Sequence, residues 1–117
     1  MKAIGVFTNA TKTIDVPAGG TIFEQGDDGD EMFGIISGEV ELLLDGRVID
    51  KMGPDEVFGE MAIVDRTPRM ATARAISDTT LAVVDRRHFL FLVTETPMFA
   101  LQVMSTMAER LRQHHGA

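Results

Sequence analysis

The 117-residue sequence contains no cysteine. This absence excludes disulfides, thiolate metal sites and a cysteine nucleophile. The sequence also lacks any apolar run that approaches the roughly 18 residues of a membrane span. Its first ten residues carry one lysine and an apolar stretch that is too short for a secretory signal. We therefore expect a cytoplasmic protein.

Positive charge is also scarce, since 11 lysines and arginines stand against 18 acidic residues and the net charge is −7. Proteins that bind nucleic acids or anionic lipids usually present a basic face. The basic residues here are scattered, apart from one loose group at residues 86–88. The composition therefore argues against nucleic acid and membranes as partners. The length and the apolar content of 44% predict one globular domain over residues 1–117.

Short strands and turns fill the chain up to about residue 85. Six stretches rich in Val, Ile, Leu and Thr are separated by turn residues: 21–24, 32–37, 39–44, 47–52, 70–77 and 80–85. Asp45-Gly46 lies between two of these stretches and predicts a two-residue hairpin, because glycine tolerates the positive φ that such a turn needs. Many short strands at close spacing predict a small barrel, roll or sandwich.

Helical patterns follow Asp85, which is a suitable N-cap for a helix over about residues 86–94. Pro97 is placed to begin a second helix over about residues 97–114. Five small or apolar residues recur at helical spacing along it and predict its buried face: Ala100, Met104, Met107, Ala108 and Leu111. The other side carries polar residues: Gln102, Glu109, Arg110 and Arg112.

Residues 58–75, "FGEMAIVDRTPRMATARA", contain the features of an anion site. Gly59 permits close approach of a ligand to the backbone. A helical turn over residues 60–64 would offer N–H groups without intrahelical partners. Arg69 would add a planar fork that matches two phosphate oxygens. The alternative is that Glu60 and Arg69 form an ordinary surface ion pair, which would contribute little to stability.

Glu60 is unusual in such a site, because a carboxylate beside a phosphate is repulsive unless it has another ligand group to bind. Accepting a hydrogen bond from a sugar hydroxyl would be such a role, with Arg69 partly neutralising the carboxylate. The small side chains of Ala62 and Ala71 would leave room for the ligand.

This stretch resembles the phosphate-binding cassette of the cyclic nucleotide-binding domain family. That family includes catabolite activator proteins, regulatory subunits of cAMP-dependent kinase and cyclic-nucleotide-gated channels. The shared pattern is Phe-Gly-Glu, an apolar-small-apolar run, and an arginine followed by small residues. The similarity extends over residues 11–112. It includes "IFEQGDDGDEMFGIISGEVEL", with Gly26 and Gly38 at the expected turns, and "PMFALQVMSTMAERLR", which resembles the final helix of the family.

The resemblance implies a mainly β fold, namely an eight-stranded β-roll (a jelly-roll-like double-stranded β-helix) over about residues 11–85, with flanking C-terminal helices. The family's N-terminal helix would be shortened to about ten residues. Gly34 stands in a strand that is normally more apolar, which suggests a bulge or thin packing. No effector domain of the family follows the roll before Ala117.

The resemblance also implies the roles of the site residues. Glu60 would hold the ribose 2′-hydroxyl. Arg69 and the backbone amides around Met61 would hold the cyclic phosphate, and Met70 would lie against the phosphate and the base. The expected cyclic-nucleotide-binding residues are Phe58, Gly59, Glu60, Met61, Ala62, Arg69, Met70 and Ala71. We expect no catalytic residue, no cofactor and no metal.

The function that these observations predict is that of a sensor for cAMP, with cGMP also bound. In the family a threonine after the cassette arginine accompanies cGMP preference, and this chain has Met70 there. Thr72 lies on the same strand face and is a candidate substitute. Met104, Met107 and Leu111 are expected to cover the base, and Arg110 is a candidate to approach the base edge.

No enzymatic activity is expected. The signal would pass through the C-terminal helices to an effector protein or to a second copy of the chain. The alternative is a protein-interaction scaffold that keeps the fold and needs no ligand. A metal-dependent cupin-like enzyme would require a histidine cluster in the strands, which the sequence lacks. The acidic run at residues 27–31 lacks the ligand spacing of a calcium loop.

Overall fold

The computed structural model describes residues 12–115, and the side chains as far as residue 113. The prediction about the shortened N-terminal helix concerns residues outside this range. The elements, in chain order, are β1 (Thr13–Val16), β2 (Thr21–Phe23), β3 (Glu31–Ser37), β4 (Val40–Leu44), β5 (Arg47–Met52), β6 (Val57–Phe58), α1 (Met61–Val64), β7 (Thr72–Ala75), β8 (Thr79–Asp85), α2 (Arg86–Glu95) and α3 (Met98–His115).

The strands form two four-stranded antiparallel sheets, with the orders β1-β8-β3-β6 and β2-β7-β4-β5. This confirms the prediction of a mainly β, eight-stranded fold. Two of the strands, β1 and β6, were not among the six stretches that the residue pattern indicated. β1 alternates between exposed and half-buried residues, and β6 has only two residues, so neither produces a strong apolar signal.

The first sheet is covered on both faces. Phe33 and Ile35 of β3 point into the core between the two sheets. Met32 of the same strand and Ala82 of β8 point the other way, into a second cluster that includes Phe99 of α3. Because successive side chains of a strand alternate between its faces, β3 and β8 need apolar residues at nearly every position. This explains why both strands read as continuous apolar runs.

The predictions for the Asp45-Gly46 turn and for Gly34 within β3 have different outcomes. Asp45 and Gly46 have φ values of 52° and 80°, which is the conformation of a two-residue hairpin loop, as predicted. Gly34 pairs in register with both of its neighbouring strands. The irregularity of β3 falls between Ile35 and Ser37 instead. The bulge is therefore displaced from the position that Gly34 suggested.

The first of the two C-terminal helices, α2, is capped by Asp85. The Asp85 carboxylate accepts a hydrogen bond from the His88 N–H at 2.8 Å, as expected for an N-cap. No single helix within residues 12–115 is long and apolar enough to cross a membrane. Only α2 and α3 taken together meet that test, and they are bent by 118° at the break between them.

The predicted buried face of α3 was only partly right, since Ala100, Met107 and Ala108 are half-buried and two of its members are exposed. Met104 and Leu111 expose 59% and 61% of their surface, whereas Gln102, which was assigned to the polar side, is 1% exposed. The Gln102 side-chain amide donates to the Asp55 carbonyl at 2.9 Å. A hydrogen bond of this kind makes it possible to bury a polar residue. Gln102 is buried beside Phe99 and Val103, which belong to the second apolar cluster.

Gly38 and Gly26 provide a matched test of the turns, because their φ values are 91° and 90°. A Cβ atom at Gly38 would lie 2.5 Å from the Asp78 carbonyl oxygen, whereas a Cβ at Gly26 meets nothing within 4 Å. We expect Gly26→Ala to cost about 1–2 kcal/mol for its left-handed conformation alone. Gly38→Ala should cost about 1–3 kcal/mol more through overpacking. Urea unfolding of both variants measures the difference, and equal stabilities would contradict this account.

Candidate binding site beside the short helix

A cavity of about 460 Å³ lies beside α1, within the size range of small-molecule sites. Its polar part is formed by residues 59–62 together with Arg69. Its apolar wall comes from β4, β5 and α3: Leu42, Leu44, Ile49, Met107 and Leu111. The predicted residues from Gly59 to Ala62 and from Arg69 to Ala71 all line this cavity. Phe58 does not, because its side chain is fully buried between the sheets and stacks on Phe33 at 5.3 Å.

Gly59 links β6 to α1 with a φ of 79°, a conformation that favours glycine. A Cβ atom there would approach the Arg69 Nη1 atom to 3.0 Å. The same Nη1 atom donates to the Gly59 carbonyl at 3.2 Å. The α1 turn follows, and the N–H groups at the start of a helix lack intrahelical acceptors. This segment therefore brings backbone donors and the Arg69 side chain to one end of the cavity.

Arg69 is nearly buried, with 7% of its surface exposed. Its guanidinium carbon lies 4.2 Å from the centre of the Phe23 ring, in a cation–π contact. Within residues 12–115, its buried Nε atom has no hydrogen-bond acceptor, and no carboxylate oxygen lies within ion-pair distance of it. Arg69 is thus a buried cation whose hydrogen bonding and charge pairing are incomplete.

The loop over residues 26–29 fixes Arg69 from the other side. The Arg69 N–H donates to the Asp27 carbonyl at 2.7 Å, and the Gly26 N–H donates to the Arg69 carbonyl at 2.7 Å. A Cβ atom at Gly29 would lie 2.5 Å from the guanidinium, so any larger residue there would require the Arg69 side chain to move. The sequence identified this loop as a turn and did not reveal that it packs against the arginine.

Electrostatics at Arg69 reflect two opposed effects. Burial lowers the pKa of the Arg69 guanidinium, because desolvation disfavours the charged form. The nearby carboxylates of Glu31, Asp30 and Asp27 raise this pKa and offset part of the desolvation. An arginine retains its charge under such conditions. The site therefore holds a permanent cation.

Glu60 is 2% exposed, and its ion-pair partner is Arg110 of α3, whose Nη1 atom donates to the Glu60 Oε1 atom. Arg69 makes no ion pair with Glu60, so the alternative of a surface pair between them was wrong. The Glu60 carboxylate still acts on Arg69 through space, as one of the carboxylates that raise the pKa of its guanidinium. Arg110 is 50 residues from Glu60 in sequence. The spacing of charges along one segment gives no signal for such a contact.

Arg110 makes further contacts that hold it in this position. Its Nη2 atom donates to the Val57 carbonyl at 3.2 Å and lies 3.0 Å from the Met52 sulfur. Its Nε atom donates to the Asp50 carboxylate at 3.4 Å. Arg110 is therefore engaged with the roll, although it also lines the cavity, and its approach to the base edge stays a prediction. In residues 12–115, no side chain or backbone N–H is placed to donate to the second carboxylate oxygen of Glu60.

Two other sequence suggestions concern Thr72 and the residues expected to cover the base. The Thr72 hydroxyl accepts a hydrogen bond from the Gln25 N–H at 3.0 Å and does not line the cavity, so Thr72 cannot substitute for a threonine at position 70. Met104 lies outside this cavity, whereas Met107 and Leu111 line it as expected. The described part of the chain contains no group of three His, Asp or Glu side chains that could hold a metal ion.

Comparisons with known proteins agree with this geometry. The family model described as "Cyclic nucleotide-binding domain" matches residues 13–96. A CRP-like cAMP-activated global transcriptional regulator of Mycobacterium tuberculosis is 34% identical over an alignment 116 residues long, which covers 95% of this chain and 52% of that protein. The chain therefore spans about half the length of this curated relative.

Solved structures share the fold. The catabolite activator protein of Thermus thermophilus superposes with a TM-score of 0.77 at 35% identity, over 89% of this chain and 51% of that one. The EAL enzyme Bd1971 in its cAMP-bound form matches 90% of this chain and 30% of its own, at 31% identity and a TM-score of 0.67. Its cGMP-bound form gives 31% identity and a TM-score of 0.68 over 90% and 29%. The chain belongs to the cyclic nucleotide-binding domain family.

Proposed function

We propose that this domain is a sensor of 3′,5′-cyclic nucleotides that binds cAMP, and also cGMP, without performing chemistry. The observation that carries the proposal is that two buried charged side chains, Arg69 and Glu60, lie at one end of an apolar cavity without pairing with each other. Among the described residues 12–115, Arg69 has no ion-pair partner, and one carboxylate oxygen of Glu60 has no donor. A cyclic nucleotide would satisfy both, since it combines a singly charged phosphodiester, a ribose hydroxyl and a largely apolar base face.

The phosphate would lie at the Gly59–Ala62 end of the cavity. Arg69 would supply charge and two parallel N–H donors, while the backbone N–H groups at the start of α1 would supply neutral donors. Binding would also complete the charge pairing that the described structure leaves open at Arg69. This gain offsets the cost of desolvating a guanidinium.

The ribose would lie beside Glu60, with its 2′-hydroxyl donating to the carboxylate oxygen that Arg110 does not use. An ionised carboxylate only accepts hydrogen bonds. Glu60 would therefore distinguish a hydroxyl from a hydrogen at the 2′ position. Arg110, rather than Arg69, would prevent repulsion between this carboxylate and the phosphate.

The base would lie against the apolar wall formed by β4, β5 and α3. Apart from Glu60, Arg69 and Arg110, the described residues that line the cavity have no charged or hydrogen-bonding polar side chain. Contacts to the base would thus be mainly dispersion and burial, which discriminate weakly between adenine and guanine. Met70 offers no good partner for the guanine amino group, so the preference would favour cAMP modestly.

The signal would leave the site through α3, because Arg110 connects that helix to the ribose-binding carboxylate. A ligand shifts a conformational equilibrium only as far as its contacts differ between the two states. Here the contacts that differ would be those of Glu60 and the apolar side chains of α3. The receiver would be an effector protein or a second copy of the chain. A scaffold that needs no ligand is less favoured, because it would leave the buried charge of Arg69 unsatisfied.

The first test is titration calorimetry of the parent and of Arg69→Ala with cAMP and cGMP. Removing one member of a buried charge pair costs about 2–5 kcal/mol, so Arg69→Ala should weaken binding by roughly 30-fold or more. The parent should bind cAMP at least as tightly as cGMP.

Arg74→Ala is the matched control for this test, since Arg74 is a half-exposed arginine of β7 that pairs with Glu41 and lies outside the cavity. It should bind both nucleotides as the parent does. A parent that binds neither nucleotide would refute the proposed function. Equal affinity of Arg69→Ala and the parent would refute the role of Arg69.

The sugar contact is tested by comparing cAMP with 2′-deoxy-cAMP. The parent should bind the deoxy form about 5- to 30-fold more weakly, because a buried carboxylate loses a donor, at a cost of about 1–2 kcal/mol. In Glu60→Gln the discrimination should shrink. If the variant keeps the full preference for the ribose form, Glu60 stabilises the fold and does not bind the 2′-hydroxyl.

The coupling of α3 to the site is tested by Arg110→Met. Removing one partner of a buried ion pair costs about 3–5 kcal/mol, so the free energy of unfolding of the ligand-free protein should fall by that order. The double variant Glu60→Gln/Arg110→Met should lose less than the sum of the single losses, because no charge stays buried alone. Arg112→Met, at an exposed position of the same helix, is the control. Additive losses in urea unfolding would mean that the pair is not coupled.

A further inference from the structure

A second cavity, of about 400 Å³, lies between α1, α2 and α3. Its lining is almost wholly apolar and includes Phe89, Val93, Val103 and Met104. It lies on the opposite side of α1 from the nucleotide cavity. Met61 and Ala62 line the nucleotide cavity, whereas Ile63 and Val64 line the second one.

Met107 is the residue that lines both cavities. Its neighbours on α3 each line one: Met104 lines the second cavity, and Leu111 lines the nucleotide cavity. Met107 is half-buried and packs against the apolar cluster beneath the helices. Between the two spaces, the wall contributed by α3 is therefore a single side chain.

The position of Met107 places it near the base of a bound nucleotide. It stands one helical turn before Arg110, and residues three apart on a helix lie on the same face. Arg110 holds Glu60, which is the proposed ribose contact. A base attached to that ribose extends from the polar end into the apolar part of the cavity, which Met107 lines.

Methionine is suited to a movable wall, because its side chain is unbranched and has three rotatable bonds. On one side of it lies the space for the base, and on the other lies an apolar space that would accept the displaced side chain at little cost. A β-branched or aromatic residue at this position would have far fewer rotamers available.

We propose that Met107 is a partition between the two cavities and sets the size of base substituent that the site admits. This inference rests on the proposed function and adds a residue that determines specificity. The second cavity provides the space into which the Met107 side chain turns when a larger base enters.

The test uses cAMP and two cAMP analogues, one with a benzyl group on N6 and one with a phenylthio group at C8. Met107→Ala opens the partition and joins the two cavities. One methylene more or less in an apolar pocket changes the discrimination between two ligands by about 10- to 200-fold. We therefore expect Met107→Ala to shift the ratio of Kd for at least one analogue to Kd for cAMP by about tenfold or more in favour of the analogue. Met107→Phe, which fills the partition, should shift it in the opposite direction.

Met104→Ala is the matched control, because it enlarges only the second cavity and should leave both ratios unchanged. Leu111→Ala removes a wall of the nucleotide cavity without joining the two spaces, and it should not reproduce the gain. Circular dichroism and thermal melts establish that each variant is folded before titration.

The outcomes separate the two proposals. If the parent binds cAMP and Met107→Ala shows the same analogue ratios as Met104→Ala, the partition is refuted while the proposed function stands. If Met107→Phe admits the analogues as well as the parent does, the partition is likewise refuted. A parent that binds no cyclic nucleotide refutes the proposed function and, with it, this inference.

Discussion

The buried ion pair between Glu60 and Arg110 connects the β-roll to its last helix. Glu60 lies in the short connection between β6 and α1, and its side chain is buried. A charge in that position is tolerable only with a partner that is equally well held. Arg110 meets this requirement through its additional bonds to the Val57 carbonyl and the Asp50 carboxylate. This pair joins α3, which forms one wall of the cavity, to the roll, together with the packing of Phe99 and Val103 and the Gln102–Asp55 hydrogen bond.

The second buried cation, Arg69, is held differently. Its surroundings are the Phe23 ring, the Gly59 carbonyl and the tight approach of Gly29, together with carboxylates that offset its desolvation without a direct ion pair. The chain carries a net charge of −7, so the overall field opposes an incoming anion. For the proposed ligand, local geometry would have to overcome that field, and the buried Arg69 guanidinium, whose Nε atom has no acceptor among the described residues, would act at short range.

The short helix α1 connects these parts. Its first residues, Met61 and Ala62, line the cavity that contains Glu60 and Arg69. Its last residues, Ile63 and Val64, line the second cavity between α1, α2 and α3. The Ile63 carbonyl near its end accepts a hydrogen bond at 2.7 Å from Arg86, the first residue of α2. A displacement of α1 by a ligand would therefore change its hydrogen bond to α2 and its packing beside α2 and α3.

The local features of this protein could be predicted from the sequence. The Asp45-Gly46 hairpin, the Asp85 cap and the Gly59–Ala62 and Arg69–Ala71 segments depend on neighbouring residues and their backbone preferences, which a short stretch of sequence contains. The tertiary structure decided what depends on contacts between distant segments: the pairing of Glu60 with Arg110, the packing of Gly29 against Arg69, and the burial of Gln102. On α3, periodicity alone placed Met104 and Leu111 on the buried face, whereas the structure buries Phe99, Gln102 and Val103. The side of the helix that faces inward is decided by packing against distant segments, which the periodicity of one helix does not specify.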